Sequence, residues 1–182
     1  PSARELLEPP MRDLQLDTLA GVLDGSILVQ NHCYRADEMA MMIEMSHEFN
    51  YQITAFHHAV EAYKIADLLA DEGICGALWA DWWGFKHEAY DMVPANIAIV
   101  DQARGGTGCA IVHSDDEVGI QHLNQEAAKA LIAGIRAGYD ISKARAMRWI
   151  TSNPAIAAGI FDQTGSIAVS YTHLTLPTND RV

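Results

Sequence analysis

Three observations predict an α/β fold with a parallel sheet. Short apolar, β-prone runs alternate four times with amphipathic helical stretches along the 182 residues. Each intervening stretch is long enough for the crossover that parallel strands require. Each β-prone run also ends in histidine or aspartate, at the carboxyl end where α/β barrels and open α/β sheets build their sites.

The elements follow in order. A polar, proline-containing lead-in precedes residues 13–24, where Leu16, Leu19, Ala20 and Leu23 make one helical stripe. Asp24-Gly25 ends this helix and releases a strand at about 26–31, closed by His32. Ala36 to Asn50 then places Met39, Met42, Ile43 and Phe49 on one face, with Met41 and Met45 on its flanks, as a helix packing on a sheet does. Gln52 to Phe56 is the second strand, ending at His57-His58, and its helix carries Ala62, Ile65, Ala66 and Leu69 inward before stopping at Gly73.

The third strand runs from Ile74 to Asp81 and opens into the loop W-A-D-W-W-G-F-K-H-E-A-Y-D, which holds three of the four tryptophans. Pro94 starts a short helix through A-N-I-A-I-V. The fourth strand, from Cys109, leads to Asp115 and Asp116, and its helix at about 124–137 turns Ala127, Ala130, Leu131 and Ile135 inward. Two helices without a strand follow, one N-capped by Ser142 and one by Asn153 with Pro154 in its first turn.

Composition narrows the function. With 49% hydrophobic residues the chain can bury one substantial core. Its 24 acidic against 12 basic residues, a net charge of −12, argue against nucleic acid or an anionic membrane as partner. No apolar stretch approaches the roughly 20 residues of a bilayer span and the first residues lack signal-peptide order, so the cytosol is the expected compartment. Cys33, Cys75 and Cys109 are odd in number and form no CxxC, which predicts reduced thiols, the latter two inside strands.

The strand-end residues carry the chemistry. His, His and Asp on neighbouring parallel strands can converge on one ion, because adjacent strands lie only about 4.8 Å apart. Singly, each of His32, His58 and Asp115 fits a satisfied interior histidine or a helix-capping aspartate, and it is their joint placement that favours a site. His57 is read as a supporting or packing residue. His113 lies within the expected fourth strand, and alternation along it is expected to aim the ring away from the site, with a substrate contact as the alternative.

Tyr34 and Arg35 follow His32 and can clamp a substrate carboxylate, the alternative being a solvated loop arginine. The aromatic loop, with Asp81 and Trp82, reads as a pocket wall or as packing against the helical shell. R-G-G-T-G at 104–108 precedes a strand instead of opening a helix and is read as a turn, not a phosphate cradle.

His32, the run H-H-A-V-E-A-Y-K-I-A-D-L-L-A, the S-D of H-S-D-D and the late T-S-N-P-A-I-A-A-G-I-F-D-Q-T-G-S-I together resemble the amidohydrolase superfamily, most nearly its imidazolonepropionase-related branch. The likeness covers about residues 12–168, and the last motif is its most specific piece. It implies a metal-dependent (β/α) barrel of the TIM type, of which this chain is the C-terminal half, about strands five to eight. It further implies hydrolysis of a C–N bond in an amide, cyclic amide or peptide-like small molecule.

In that resemblance His32 and His58 match metal histidines of strands five and six. Asp115 matches the strand-eight aspartate that touches the metal and takes a proton from the attacking water, so Asp115 and His58 are also the catalytic candidates. A bound divalent cation lowers the pKa of its water from about 15.7 toward 7 and polarises the attacked carbonyl. Zinc is the first expectation, with iron and manganese suited to the same ligands. The family's His-x-His after strand one has no counterpart in this chain, so the segment alone is expected to be inactive.

The expected organisation is one partial barrel domain over 1–168 and a non-native tail over 169–182 that resembles translated adaptor read-through. Open sheet edges predict self-association into a homo-oligomer. The rival reading is a small-molecule-binding α/β module, or an inactive half-barrel, in which the strand-end residues only cap and hydrogen-bond.

Overall fold

A computed structural model describes residues 11–82 and 84–166, so the lead-in, Trp83 and the tail expected over 169–182 lie outside the described residues. Its centre is a four-stranded, all-parallel sheet in the order β1 (Val29–Cys33), β2 (Ile53–His58), β3 (Cys75–Leu78), β4 (Cys109–Val112). The sheet is open among the described residues; it does not close on itself. Around it lie α1 (Leu14–Leu23), α2 (Ala36–Phe49), α3 (Ala66–Asp71), α4 (Asn96–Gly106), α5 (Leu123–Arg136), α6 (Lys143–Arg148) and α7 (Ser152–Ala157).

The strands divide their side chains between two unlike faces. On one, Phe56, Leu78, Ala110 and Val112 pack with Met39 and Ile43 of α2, Leu69 of α3, Ile97 and Val100 of α4 and Leu131 of α5. On the other, Ala55, Cys75, Ala77 and Ile111 make a smaller cluster with Cys109 and with Ala157 of α7. This asymmetry sets the site, because side chains at the strand ends on the second face are not covered by helices.

Several expectations change at this level. The leucine stripe of α1 forms, capped by Asp13 accepting from the backbone of Gln15 and Leu16, yet Leu16, Leu19 and Leu23 are 62%, 57% and 53% exposed. Phe49 and Ile135 likewise sit outside, and Gly134 takes the inward position against Ala98 instead of Ile135. The helix expected after the second strand begins as a 3-10 turn over Ala62–Ile65. The R-G-G-T-G segment is a turn in conformation, with Arg104, Gly105 and Gly106 at positive φ at the end of α4.

Cys75 and Cys109 are not reduced thiols but a disulfide joining β3 to β4. The two are register partners on adjacent strands with Cα atoms 4.5 Å apart, close enough to bridge without a backbone shift. Cysteine spacing along the chain carries no trace of that register. Only Cys33 is a free, buried thiol.

Asn153 does not cap α7, whose N-cap position is Thr151. It is buried and donates Nδ2–H to the carbonyl of Ala110 at 2.7 Å. The Val112 N–H is likewise met by the Trp149 carbonyl at 3.0 Å, so the corner between α6 and α7 satisfies backbone groups along the outer edge of β4. Ser142 caps α6 as expected, accepting from the Arg145 backbone N–H. No helix among the described residues is long and apolar enough to cross a membrane.

Candidate metal centre

The end of β2 is the focal point. Residues along a strand alternate faces, so His57 and His58 should point oppositely. The chain breaks this rule by placing His58 at φ 66° and Ala59 at φ 34°, a left-handed conformation that costs a non-glycine residue about 1–3 kcal/mol. Asn96 holds the bend, donating its side-chain amide to the carbonyls of Ala59 and Val60 and accepting from the Tyr63 N–H. His58 thereby comes to the site, 7% exposed, while His57 keeps its place on the uncovered face beside Gln30, with Nε2 2.7 Å from Gln30 Oε1.

The other members arrive from the neighbouring strand ends. His32 on β1 has its ring centroid 4.0 Å from that of His58 in an edge-on arrangement. Beyond β4, Asp115 brings Oδ2 to 3.1 Å from His58 Nδ1 and Oδ1 to 3.7 Å from His113 Nδ1. Ligating atoms of His58, His113 and Asp115 all lie within 4.8 Å of one another. Asp116 is occupied elsewhere, accepting from the Gly119 N–H to close the turn.

His113 is the residue that sequence reasoning misplaced. β4 ends at Val112, and His113 stacks its ring on Trp79, 5.7 Å between centroids, with its centroid 5.1 Å from that of His58. The signal was the H-S-D spacing itself, because residues two apart in an extended segment share a side.

The residues fit a divalent cation. His113 Nε2 is buried with no hydrogen-bond partner, and His58 Nδ1 is met only by the Asp115 carboxylate at 3.1 Å, outside hydrogen-bond geometry, an arrangement that costs stability unless something engages those nitrogens. Burial pushes the His58 imidazole down to about 4 against the opposing pull of Asp115, and burial pushes His113 to about 4 as well. Both rings are therefore neutral at pH 7, the form in which imidazole ligates metals. Burial also lowers His57.

The remaining candidates are divided. Tyr34 joins the site, its ring stacked on His58 at 5.1 Å and 10°. Trp82 stacks on Trp79 at 5.5 Å and so belongs to the wall beside the site. Arg35 is not brought in: its guanidinium is exposed and bidentate to Asp37. Asp81 is held by Lys129 at 2.9 Å on the outer surface.

No family model matches the chain. A curated relative, amidohydrolase tasK of Hapsidospora irregularis, is 29% identical over 164 residues, covering 87% of this chain and 16% of its own length. The crystal structure of an amidohydrolase from Thermotoga maritima MSB8 superposes with a TM-score of 0.72 at 26% identity, over 88% of this chain and 40% of that one. The chain therefore spans less than half the length of either protein. These similarities support an amidohydrolase family, and the fold is that of part of a solved amidohydrolase.

Proposed function

We propose that this chain supplies the C-terminal half of the barrel of a metal-dependent amidohydrolase, of the imidazolonepropionase-related type, that hydrolyses a C–N bond in an amide, cyclic amide or peptide-like small molecule. The observation that carries the reading is the convergence of buried nitrogens of His58 and His113 on the Asp115 carboxylate, with His113 Nε2 left without a hydrogen-bond partner. His58, His113 and Asp115 would hold the ion, with His32 against the His58 ring to complete the set. When bound, a zinc, iron or manganese ion would supply Lewis-acid polarisation of the scissile carbonyl and an activated water.

The chain's own residues carry the rest. The Asp115 carboxylate, half exposed at the rim, is placed to accept a proton from the attacking water and return it to the leaving nitrogen. Gln30 fixes the His57 ring, and His57 in turn flanks His113 with 5.8 Å between centroids. The stacked pair Trp79 and Trp82 keeps one side of the site apolar.

The test is hydrolysis of a panel of N-acyl amino acids, dipeptides and cyclic amides by the full-length protein that carries this segment. His32→Ala and Asp115→Ala are expected to drop turnover by orders of magnitude while leaving the circular dichroism spectrum intact. Near-normal turnover in both variants contradicts the reading.

A further inference from the structure

We infer that Asn96 is the positioning residue of the candidate metal centre: from the start of α4 its side-chain amide fixes the turn at His58–Ala59 and so decides where the His58 ring stands. The inference rests on the metal-dependent reading above for what that placement serves, while the placement itself rests on contacts of its own.

The turn needs a holder. His58 at φ 66° and Ala59 at φ 34° are consecutive non-glycine residues in left-handed backbone, a conformation that persists only where surrounding groups over-determine it. On the β1 side the restraint is backbone alone. The Ala59 N–H donates to the Cys33 carbonyl at 3.0 Å, and the Glu61 N–H to the Tyr34 carbonyl at 3.1 Å. Such bonds do not depend on side-chain identity, so they do not by themselves select a left-handed path for a histidine and an alanine.

Asn96 supplies the side-chain part. Its Nδ2 donates to the carbonyls of Ala59 and Val60, each at 3.1 Å, and its Oδ1 accepts from the Tyr63 N–H at 2.9 Å. Tyr63 lies in the first turn of the short 3-10 helix Ala62–Ile65, where N–H groups lack a partner within the helix. One carboxamide thus meets three backbone groups of the turn, which takes both donors and an acceptor on the same side chain. Ionised aspartate offers no donor, and an aliphatic residue offers neither. Asn96 is 1% exposed, so water does not take over these bonds.

The holder is itself fixed. Asn96 opens α4, and Ile97, Ala98 and Val100 behind it are buried in the main core. Asp101 on the same helix accepts from Arg145 and Trp149, and the Trp149 carbonyl receives the Val112 N–H, one residue before His113. A single helix is therefore tied to the backbone beside both histidines, and the 5.1 Å between their ring centroids depends on where that helix packs.

The experiment separates positioning from stability alone. The His58 ring lies among those of His32, Tyr34 and Trp79, with centroids 4.0, 5.1 and 4.7 Å away, so ring-current shifts of its proton resonances report its place. These resonances are measured on histidine-labelled, zinc-free full-length protein that carries this segment. Asn96→Ala and Asn96→Asp, the latter keeping the volume and the bond to Tyr63, should each move the His58 resonances and leave those of His47 on α2 in place. Both should weaken zinc binding about 10–100-fold in competition with a chelator. Ala59→Gly takes positive φ without strain, and adding it to Asn96→Ala should recover about tenfold of that loss. Leu131→Ala, a cavity in α5, should lower the thermal midpoint with both readouts unchanged.

His58 resonances unmoved in both Asn96 variants, no recovery with Ala59→Gly, or the same changes in Leu131→Ala overturns the inference. Wild-type protein that binds no zinc while the Asn96 variants still move the His58 resonances would instead remove the metal reading and leave the positioning role standing.

Discussion

His58 and His113 face each other across the end of β3, with ring centroids 5.1 Å apart and the Trp79 indole against both. They reach this position by different means. His58 is turned by a left-handed kink at the end of β2, whereas His113 continues the ladder just past β4, its N–H donating to the Leu78 carbonyl at 3.1 Å. Asp115 faces both, 3.1 Å from His58 Nδ1 and 3.7 Å from His113 Nδ1, and His113 Nε2 is buried without a partner.

On the proposed reading, removing either ring removes a metal ligand. His58→Ala and His113→Ala are each expected to weaken zinc binding by more than 100-fold. His57→Ala, which loses only the contacts to Gln30 and the His113 ring, should cost about 10–100-fold, as supporting partners of metal ligands do. Zinc titration against a competing chelator measures all three.

The same burial makes stability pH-dependent in the metal-free protein. Both imidazoles sit at about 4 when folded and near 6.5 when unfolded, so the unfolded chain binds more protons between those values. Stability is therefore full above pH 6.5 and falls as pH drops toward 4. Urea denaturation with chelator present should show this slope, and a His58→Gln, His113→Gln double variant should flatten it.

The thiols give a third prediction. Without reductant, native protein should show no thiol reactive at pH 8: Cys75 and Cys109 are joined, and burial pushes the Cys33 thiol up to about 11. Unfolding should release one thiol and added reductant two more. Reduction should cost about 2–4 kcal/mol, because the bridge closes a loop with a sequence separation of 34.

Asp101 carries a structural prediction with a consequence for the site. Its buried carboxylate accepts from Arg145 Nε at 2.9 Å and from Trp149 Nε1 at 2.8 Å, and the Trp149 carbonyl accepts from Val112 N–H at the root of His113. Asp101→Ala leaves a partly buried guanidinium and a buried indole unpaired, and should cost about 2–4 kcal/mol in chemical denaturation. Asp101→Asn, which keeps an acceptor, should cost less.

The alternation of β-prone and helical runs made the parallel sheet legible, and it placed histidines and Asp115 at strand ends. What stayed hidden depends on register and on local conformation. The Cys75–Cys109 bridge exists because the two strands pair in that register, which hydrophobic patterning does not specify. His113 was misplaced although it stands two residues before Asp115, the spacing at which extended residues share a side. The exposed leucines of α1 followed the helical period, which marks a face as apolar without saying that anything covers it. Asn153 looked like a cap from its proline neighbour, whereas the free carbonyl of Ala110 decided its role.

The most direct test of the central claim is a crystal structure of the protein grown with zinc, with diffraction measured on both sides of the zinc absorption edge. The account predicts an anomalous peak about 2.0–2.2 Å from a ring nitrogen of His58, a ring nitrogen of His113 and a carboxylate oxygen of Asp115. No peak among these residues, or one held by other side chains with His58 and His113 still unpartnered, would contradict it.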